Sequence, residues 1–231
     1  MNRLRHIAIC TVLFLPAAGL AGEIIDGVIA TVSRQPVLQS EWDDATRFEA
    51  FMQQKPLAKV SEKDRVSALQ RLIDRRLLEA QMKDRNYLAP SREELRSNLA
   101  KLRAQIPAAG DEPGWHAVLA SYGLTEREIE SHLCTEMQMM NFIEIRLRPN
   151  VHVQAEEVEA YYRAQMLPDM EKAGVKVVTL QEVSPRIREL LVQQHMDEML
   201  DAWLHNLRQQ TPVRSSVPLP ATQDREGMGG N

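Results

Sequence analysis

A single, mainly α-helical domain with a small β-hairpin and a long C-terminal helix that folds back onto the N-terminal helices is what this sequence predicts. Three features carry that expectation. Aromatic residues are only 5% of the chain, and Leu, Ala, Glu, Arg, Gln and Met dominate its middle, which favours helix over sheet. Capping pairs of the Ser/Thr-x-x-Asp/Glu kind recur ahead of apolar-periodic stretches. Finally, Val192, Met196, Met199, Leu200, Trp203 and Leu207 lie in steps of three and four within Pro185–Gln210, so they form one stripe of a 3.6-residue helix. Neither the polar tail after this helix nor the short segment before it has enough apolar surface to cover the stripe. The N-terminal two thirds must supply the groove.

The first residues stand apart from the fold. Arg3 and Arg5 precede an apolar run, Ile7 to Leu20, and Gly19-Leu20-Ala21 forms a small-x-small site. This is the pattern of a secretory signal peptide over residues 1–21, too short for a transmembrane helix, with cleavage expected after Ala21. Cys10 lies inside the apolar run behind Ile9, away from a lipoprotein processing site. Losing Arg3 and Arg5 takes the formal net charge from −4 to −6, which argues against a nucleic-acid or anionic-membrane partner. It also leaves Cys134 as the only cysteine, so no internal disulfide forms and packing must supply the stability. Cys134 is read as a small apolar side chain.

The domain is expected over residues 22–214. Val28 to Val32 and Val37 to Leu38 read as strands around the turn Ser33-Arg34-Gln35, and Thr211 to Arg214 as a possible third. Ser40, with Asp43 three residues on, is expected to cap a helix that runs to about Gln54. Ser61 and Asp64 open the next, with a core stripe through Val66, Leu69, Ile73, Leu77 and Ala80. Ser91 and Glu94 cap a helix ending near Pro107, a loop follows over Ala108 to Pro113, and a short helix over Trp115 to Tyr122 stops at Gly123.

Thr125 and Glu128 cap a helix running to about Arg148. Its stripe is Ile129, Leu133, Met137, Met140, Ile143 and Leu147, while Met139, Phe142 and Ile145 lie to the side and opposite. The C-terminal half is therefore apolar nearly all round, and is either buried beneath the last helix or an open groove. A short helix through Tyr161-Tyr162 and a connection over Met166 to Val178 follow. Ser184-Pro185 then starts the long helix, or Pro185 kinks a longer one. Residues 215–231, rich in Pro, Gly and polar side chains, read as a disordered tail. The expected core includes Ile73, Leu77, Met137, Met140, Trp203 and Leu207.

No catalytic constellation emerges. His116, His132, His152, His195 and His205 form no H-E-x-x-H or i, i+4 pair, and G-x-S-x-G, P-loop and dinucleotide motifs are missing. No metal, cofactor or catalytic residue is therefore assigned, and the histidines read as surface or boundary residues. Glu156-Glu157 and Asp43-Asp44 lie near helix starts, where negative charge suits the helix dipole. Trp42, Trp115 and Trp203 read as core anchors. Arg75-Arg76 reads as a solvated face in which one arginine can pair with a neighbouring acid.

Four ordered stretches resemble SurA-like periplasmic chaperones. They are Asp26 to Val32 with Pro36 to Glu41; Leu69-Gln70-Arg71-Leu72-Ile73-Asp74-Arg75-Arg76-Leu77-Leu78; Val151-His152-Val153 with Glu156-Glu157-Val158 and Tyr161-Tyr162; and Leu180 to Leu204. In that family a parvulin prolyl isomerase domain usually sits between the third stretch and the returning helix. Only Met166 to Val178 separates them here, whereas a compact domain takes on the order of a hundred residues. The resemblance thus implies the chaperone module without the isomerase. It points to a periplasmic, ATP-independent holdase for unfolded polypeptides, outer-membrane protein precursors foremost, with Met139, Phe142 and Ile145 as candidate contacts. The alternative is a dedicated envelope interaction module or a homodimer using the same surface.

Overall fold

The computed structural model describes residues 26–82 and 89–219. The signal-like segment 1–21 lies outside the described residues. The described chain is mainly helical with a small antiparallel sheet. Strands β1 (Val28–Val32) and β2 (Gln35–Leu38) pair around a tight turn in which Ser33 takes φ 59°. Strand β3 (Val213–Ser215) pairs with the other edge of β1, giving the order β2-β1-β3. Period-two alternation turns Ala30, Val32 and Val37 onto the helices, where they are buried. The expected third strand is thus present, shifted toward the C-terminus. That shift corrects the start of the tail. Ser215 closes the strand, the Ser216 N–H donates to the Ile29 carbonyl at 2.9 Å, and Val217 and Leu219 pack on the core. Residues 220–231 lie outside the described residues.

Helix α1 (Gln39–Met52) is not capped by Ser40. The Glu41 carboxylate accepts the Leu38 N–H at 3.0 Å, and Asp26 accepts the Ser40 N–H at 3.1 Å together with its hydroxyl. A carboxylate from ahead of the hairpin therefore pins the helix start, a long-range partner that local spacing does not reveal. Helix α2 (Glu62–Glu79) begins as expected, with the Asp64 N–H donating to Ser61 Oγ and the Ser61 N–H to Asp64. Its Leu69, Leu72, Ile73 and Leu77 join Trp42 and Ala45 of α1 beneath the sheet.

The opposite face of α1 carries Phe48 and Phe51 into a second core. Helices α3 (Arg92–Ala104) and α4 (Glu112–Ser121) and the start of α5 (Glu126–Leu147) build the rest. Trp115 is fully buried there, with Phe51 edge-on at 6.0 Å between ring centroids. Gly123 ends α4 at φ +65°, where a Cβ would be strained.

Helix α5 joins the two cores. Ile129 and Leu133 belong to the second, and Met139 and Ile143 pack on the first. Met140, expected in the core, is 69% exposed. A 3.6-residue helix drifts against any fixed row of side chains, and α8 covers the flank holding Met139 and Ile143. Met137, also expected in the core, is half-buried.

Beyond Pro149 the chain is more helical than the sequence suggests. Helix α6 (Ala155–Tyr161) runs through a π-helical turn, Tyr162–Met166, into α7 (Leu167–Lys172). The wider turn falls just ahead of Pro168, whose ring crowds the carbonyl four residues back and which has no N–H to donate. The expected connection from Met166 to Val178 therefore shrinks to a few residues after Gly174. Helix α8 (Leu180–Gln210) is one continuous helix with Pro185 inside it, so of the two readings the longer helix holds and Ser184-Pro185 is not its start. Thr179 and Glu182 open it, the carboxylate accepting the Thr179 N–H at 2.9 Å. Near the N-terminus the proline forfeits only one ladder hydrogen bond. At 31 residues α8 is about 46 Å long. Its first half buries Val183, Ile187 and Leu191 against Val158. Its second half brings Leu200, Trp203, Leu204 and Leu207 onto the core holding Ile73 and Leu77.

Candidate functional site

The charged side chains gather in a cleft between α1, α2 and α5, with a volume of about 270 Å³. His132, only 12% exposed, stacks on Phe48 with centroids 4.1 Å apart, and its Nε2 lies 2.8 Å from Asp44. His132 is thus a boundary histidine, facing α1 from the inner side of α5. The His132 hydrogen bond holds the Asp44 carboxyl below its usual range, with Arg47 adding to the effect. Asp43 pairs with Arg65 at 2.8 Å, so the Asp43-Asp44 pair links helices rather than merely facing solvent. Arg76 bridges Glu41 and Glu79, the latter at 3.2 Å, and is more buried than a solvated face implies. Two of the cleft's ion pairs cross between helices, His132 with Asp44 and Arg76 with Glu41, and these hold α5 and α2 on α1. Among the described residues no group of three or more His, Cys, Asp or Glu is placed to hold a metal.

The expected contact residues are only partly brought together. Met139 and Phe142 are half-buried on the flank facing α8, and Ile145 is 57% exposed. At 100° per residue, Ile145 lies about 120° around the helix from Met139. Phe142 meets Trp203 at 5.8 Å between centroids, tilted by 47°, and the Arg146 guanidinium lies 6.0 Å from the same indole. Met139, Phe142 and Trp203 therefore form a seam, half core and half surface. Met140 and Ile145 stand exposed on either side of it.

A second apolar surface escaped sequence reasoning. Between α6–α7 and the first half of α8 runs an open groove of about 410 Å³, lined chiefly by Tyr161, Met166, Met170, Val175, Ile187 and Leu190. Leu190 is 41% exposed and Val175 54%. Its signal was present in the spacing of Met166 and Met170 and of Ile187 and Leu190. Reading 166–178 as a connection hid the first pair, and with it the groove.

The scaffold thus combines cross-helix ion pairs at one cleft with a few apolar side chains, Met140, Ile145, Val175 and Leu190 among them, exposed at the surface. Residues 6–143 match the model of the SurA-like N-terminal domain. The chain belongs to that family, and no parvulin domain is found in its 231 residues. A search of curated proteins returned no match. No helix among the described residues is long and apolar enough to cross a membrane. Family and fold together support a chaperone-like or protein-interaction role.

Proposed function

We propose that this chain is a periplasmic, ATP-independent holdase that binds unfolded polypeptides, outer-membrane protein precursors foremost, without prolyl isomerase activity. The observation that carries the reading is the apolar surface a SurA-like module leaves open. Met140 and Ile145 are exposed beside the Phe142–Trp203 seam, and the groove between α7 and α8 adds Leu190 and Val175. Unbranched, polarisable methionines repack around different side chains, which suits weak binding of many sequences. With no energy source invoked, release follows from modest affinity and from the client's own folding. The signal-like pattern of residues 1–21 supports export to the periplasm.

The test is suppression of aggregation of several unrelated, denatured β-barrel proteins by the purified protein, run beside a proline-isomerisation assay. The expected result is broad suppression at near-stoichiometric amounts with no gain in isomerisation rate. Suppression confined to one client, or none, would turn the reading toward a dedicated interaction module. An isomerisation rate above background would refute its last clause. Ile145→Asp, at an exposed position, is expected to weaken suppression while leaving the far-ultraviolet circular dichroism unchanged.

A further inference from the structure

We propose that residues 175–178, with the groove that Val175 lines, take up an extended stretch of a foreign polypeptide by strand addition, an inference that rests on the polypeptide-binding reading above. The segment leaves α7 through Gly174 at φ +63°. There the Gly174 N–H donates to the Glu171 carbonyl and the Val175 N–H to that of Met170, closing the helix firmly. It enters α8 through Thr179, whose backbone is extended. Between these fixed ends lies Val175-Lys176-Val177-Val178, a β-branched run outside any helix or strand. Val178 packs inward on the core of Val158, Val183 and Ile187, while Val175, Lys176 and Val177 are exposed, Val177 to 46%. The Tyr162 hydroxyl donates to the Val178 carbonyl at 2.8 Å and anchors the segment from below.

The backbone itself identifies the occupant. Among the described residues, the N–H groups of Lys176, Val177 and Val178 and the carbonyls of Val175, Lys176 and Val177 form no hydrogen bond. A row of free donors and acceptors on a segment fixed at both ends is the template an incoming strand uses. The groove, which Val175 lines at one end of this segment, then offers Met166, Met170, Ile187 and Leu190 to apolar side chains of that strand. Its volume of about 410 Å³ lies within the roughly 300–1,000 Å³ common for ligand sites. One acid, Asp169, and one base, Arg186, share the lining, so the groove favours no net charge. The occupant is therefore an extended, apolar and nearly neutral segment of an unfolded chain. A helix has no backbone groups to give, and an anionic lipid would need an excess of cations.

The probe is a fluorescent heptapeptide alternating leucine with threonine, compared with the same peptide N-methylated at alternate backbone amides. Exchange of the Lys176, Val177 and Val178 amides of the full protein is expected to slow at least tenfold on adding the peptide. N-methylation on the pairing edge is expected to weaken binding at least tenfold, and Leu190→Asp to do the same with unchanged circular dichroism. Equal affinity for both peptides, or protection confined to α5 and the second half of α8, would overturn the proposal. So would protection already present without peptide in a protein that sediments as a dimer, because a second copy would then occupy the edge. If Leu190→Asp still suppresses aggregation while these amides stay unprotected by peptide, strand addition falls and the holdase reading stands. If peptide protects them but the wild-type protein suppresses no aggregation, the reverse holds.

Discussion

Arg208→Ala should loosen the returning helix more than any other single change to a surface-reaching side chain. Arg208 of α8 donates Nε–H and Nη2–H to the two oxygens of Asp74 on α2, at 2.9 and 2.6 Å. The side chains are 28% and 19% exposed, so the pair sits at the edge of the core. Removing one partner of a fully buried pair costs about 3–5 kcal/mol, because the other charge is left uncompensated. Partial solvent contact lowers the expected loss here to about 2–3 kcal/mol. In a domain of this size that corresponds to roughly 4–12 °C in melting temperature. Acidity supplies an independent check. Burial raises the Asp74 carboxyl above its usual value even though Arg208 opposes the shift. A carboxyl raised on folding contributes its full share of stability below its unfolded pKa and loses it as pH rises through the folded value. Without Arg208 that penalty grows, so the deficit of the variant should be largest near pH 7 and shrink toward pH 4. Urea unfolding followed by circular dichroism at both values measures it. A deficit of the same size at both pH values, or one under about 0.5 kcal/mol at pH 7, would refute the assignment. Replacing both residues with leucine should restore most of the loss, since apolar substitutes carry no stranded charge.

Other expectations follow from the same geometry. Trp203→Ala, at a half-buried site against Phe142, should cost about 2–3 kcal/mol, less than a fully enclosed tryptophan, read from the urea midpoint. Asp44 has the opposite pH sign from Asp74: its carboxyl is held low by the His132 hydrogen bond, so its contribution is present above the unfolded carboxylate pKa and is lost as pH falls through the folded value. Asp44→Asn should therefore flatten the acid side of the stability profile. Thr125→Ala removes the hydroxyl that accepts the Glu128 N–H at 3.3 Å and should cost about 1 kcal/mol in thermal unfolding.

What was legible in the sequence was what local pattern controls. Ser61 with Asp64, Ser91 with Glu94, and Thr125 with Glu128 each placed a helix start correctly, because a capping pair spans only three residues. The hairpin and the docking of α8 on Ile73 and Leu77 were readable for a related reason: an apolar stripe without a cover implies its partner. Errors gathered where distant groups decide. Ser40 has the chemistry of a cap, yet Asp26 from ahead of the hairpin takes its N–H and hydroxyl, while the local pair of Leu38 and Glu41 opens the helix. Met140 fits the stripe by number and is exposed, because only the approach of α8 determines which flank of α5 is covered. The stretch holding Pro168 reads as a connection, and Pro185 as a helix start or a point within a longer helix. The π turn ahead of one and the nearby helix start at the other let the helix absorb both.

The stretch around Pro168 bears on the candidate site. Because the helix runs on through Pro168, the chain brings Met170 of α7 and Ile187 of α8 to a common groove. The SurA-like match ends at residue 143, whereas this groove lies wholly beyond it. The N-terminal match fixes the family, and the returning segment, with its own small core of Val158, Val183, Ile187 and Leu191, adds a separate apolar surface. The two surfaces are also held differently. Met139 and Trp203 pack on the main core and Phe142 meets Trp203, so binding there competes with packing that stabilises the fold. The groove beside 175–178 borders a small core of its own and can be filled or emptied with less effect on the rest. A holdase that must release its client without fuel is better served by the second arrangement. Substitutions at Leu190 should therefore separate client binding from stability more cleanly than substitutions at Phe142 or Trp203.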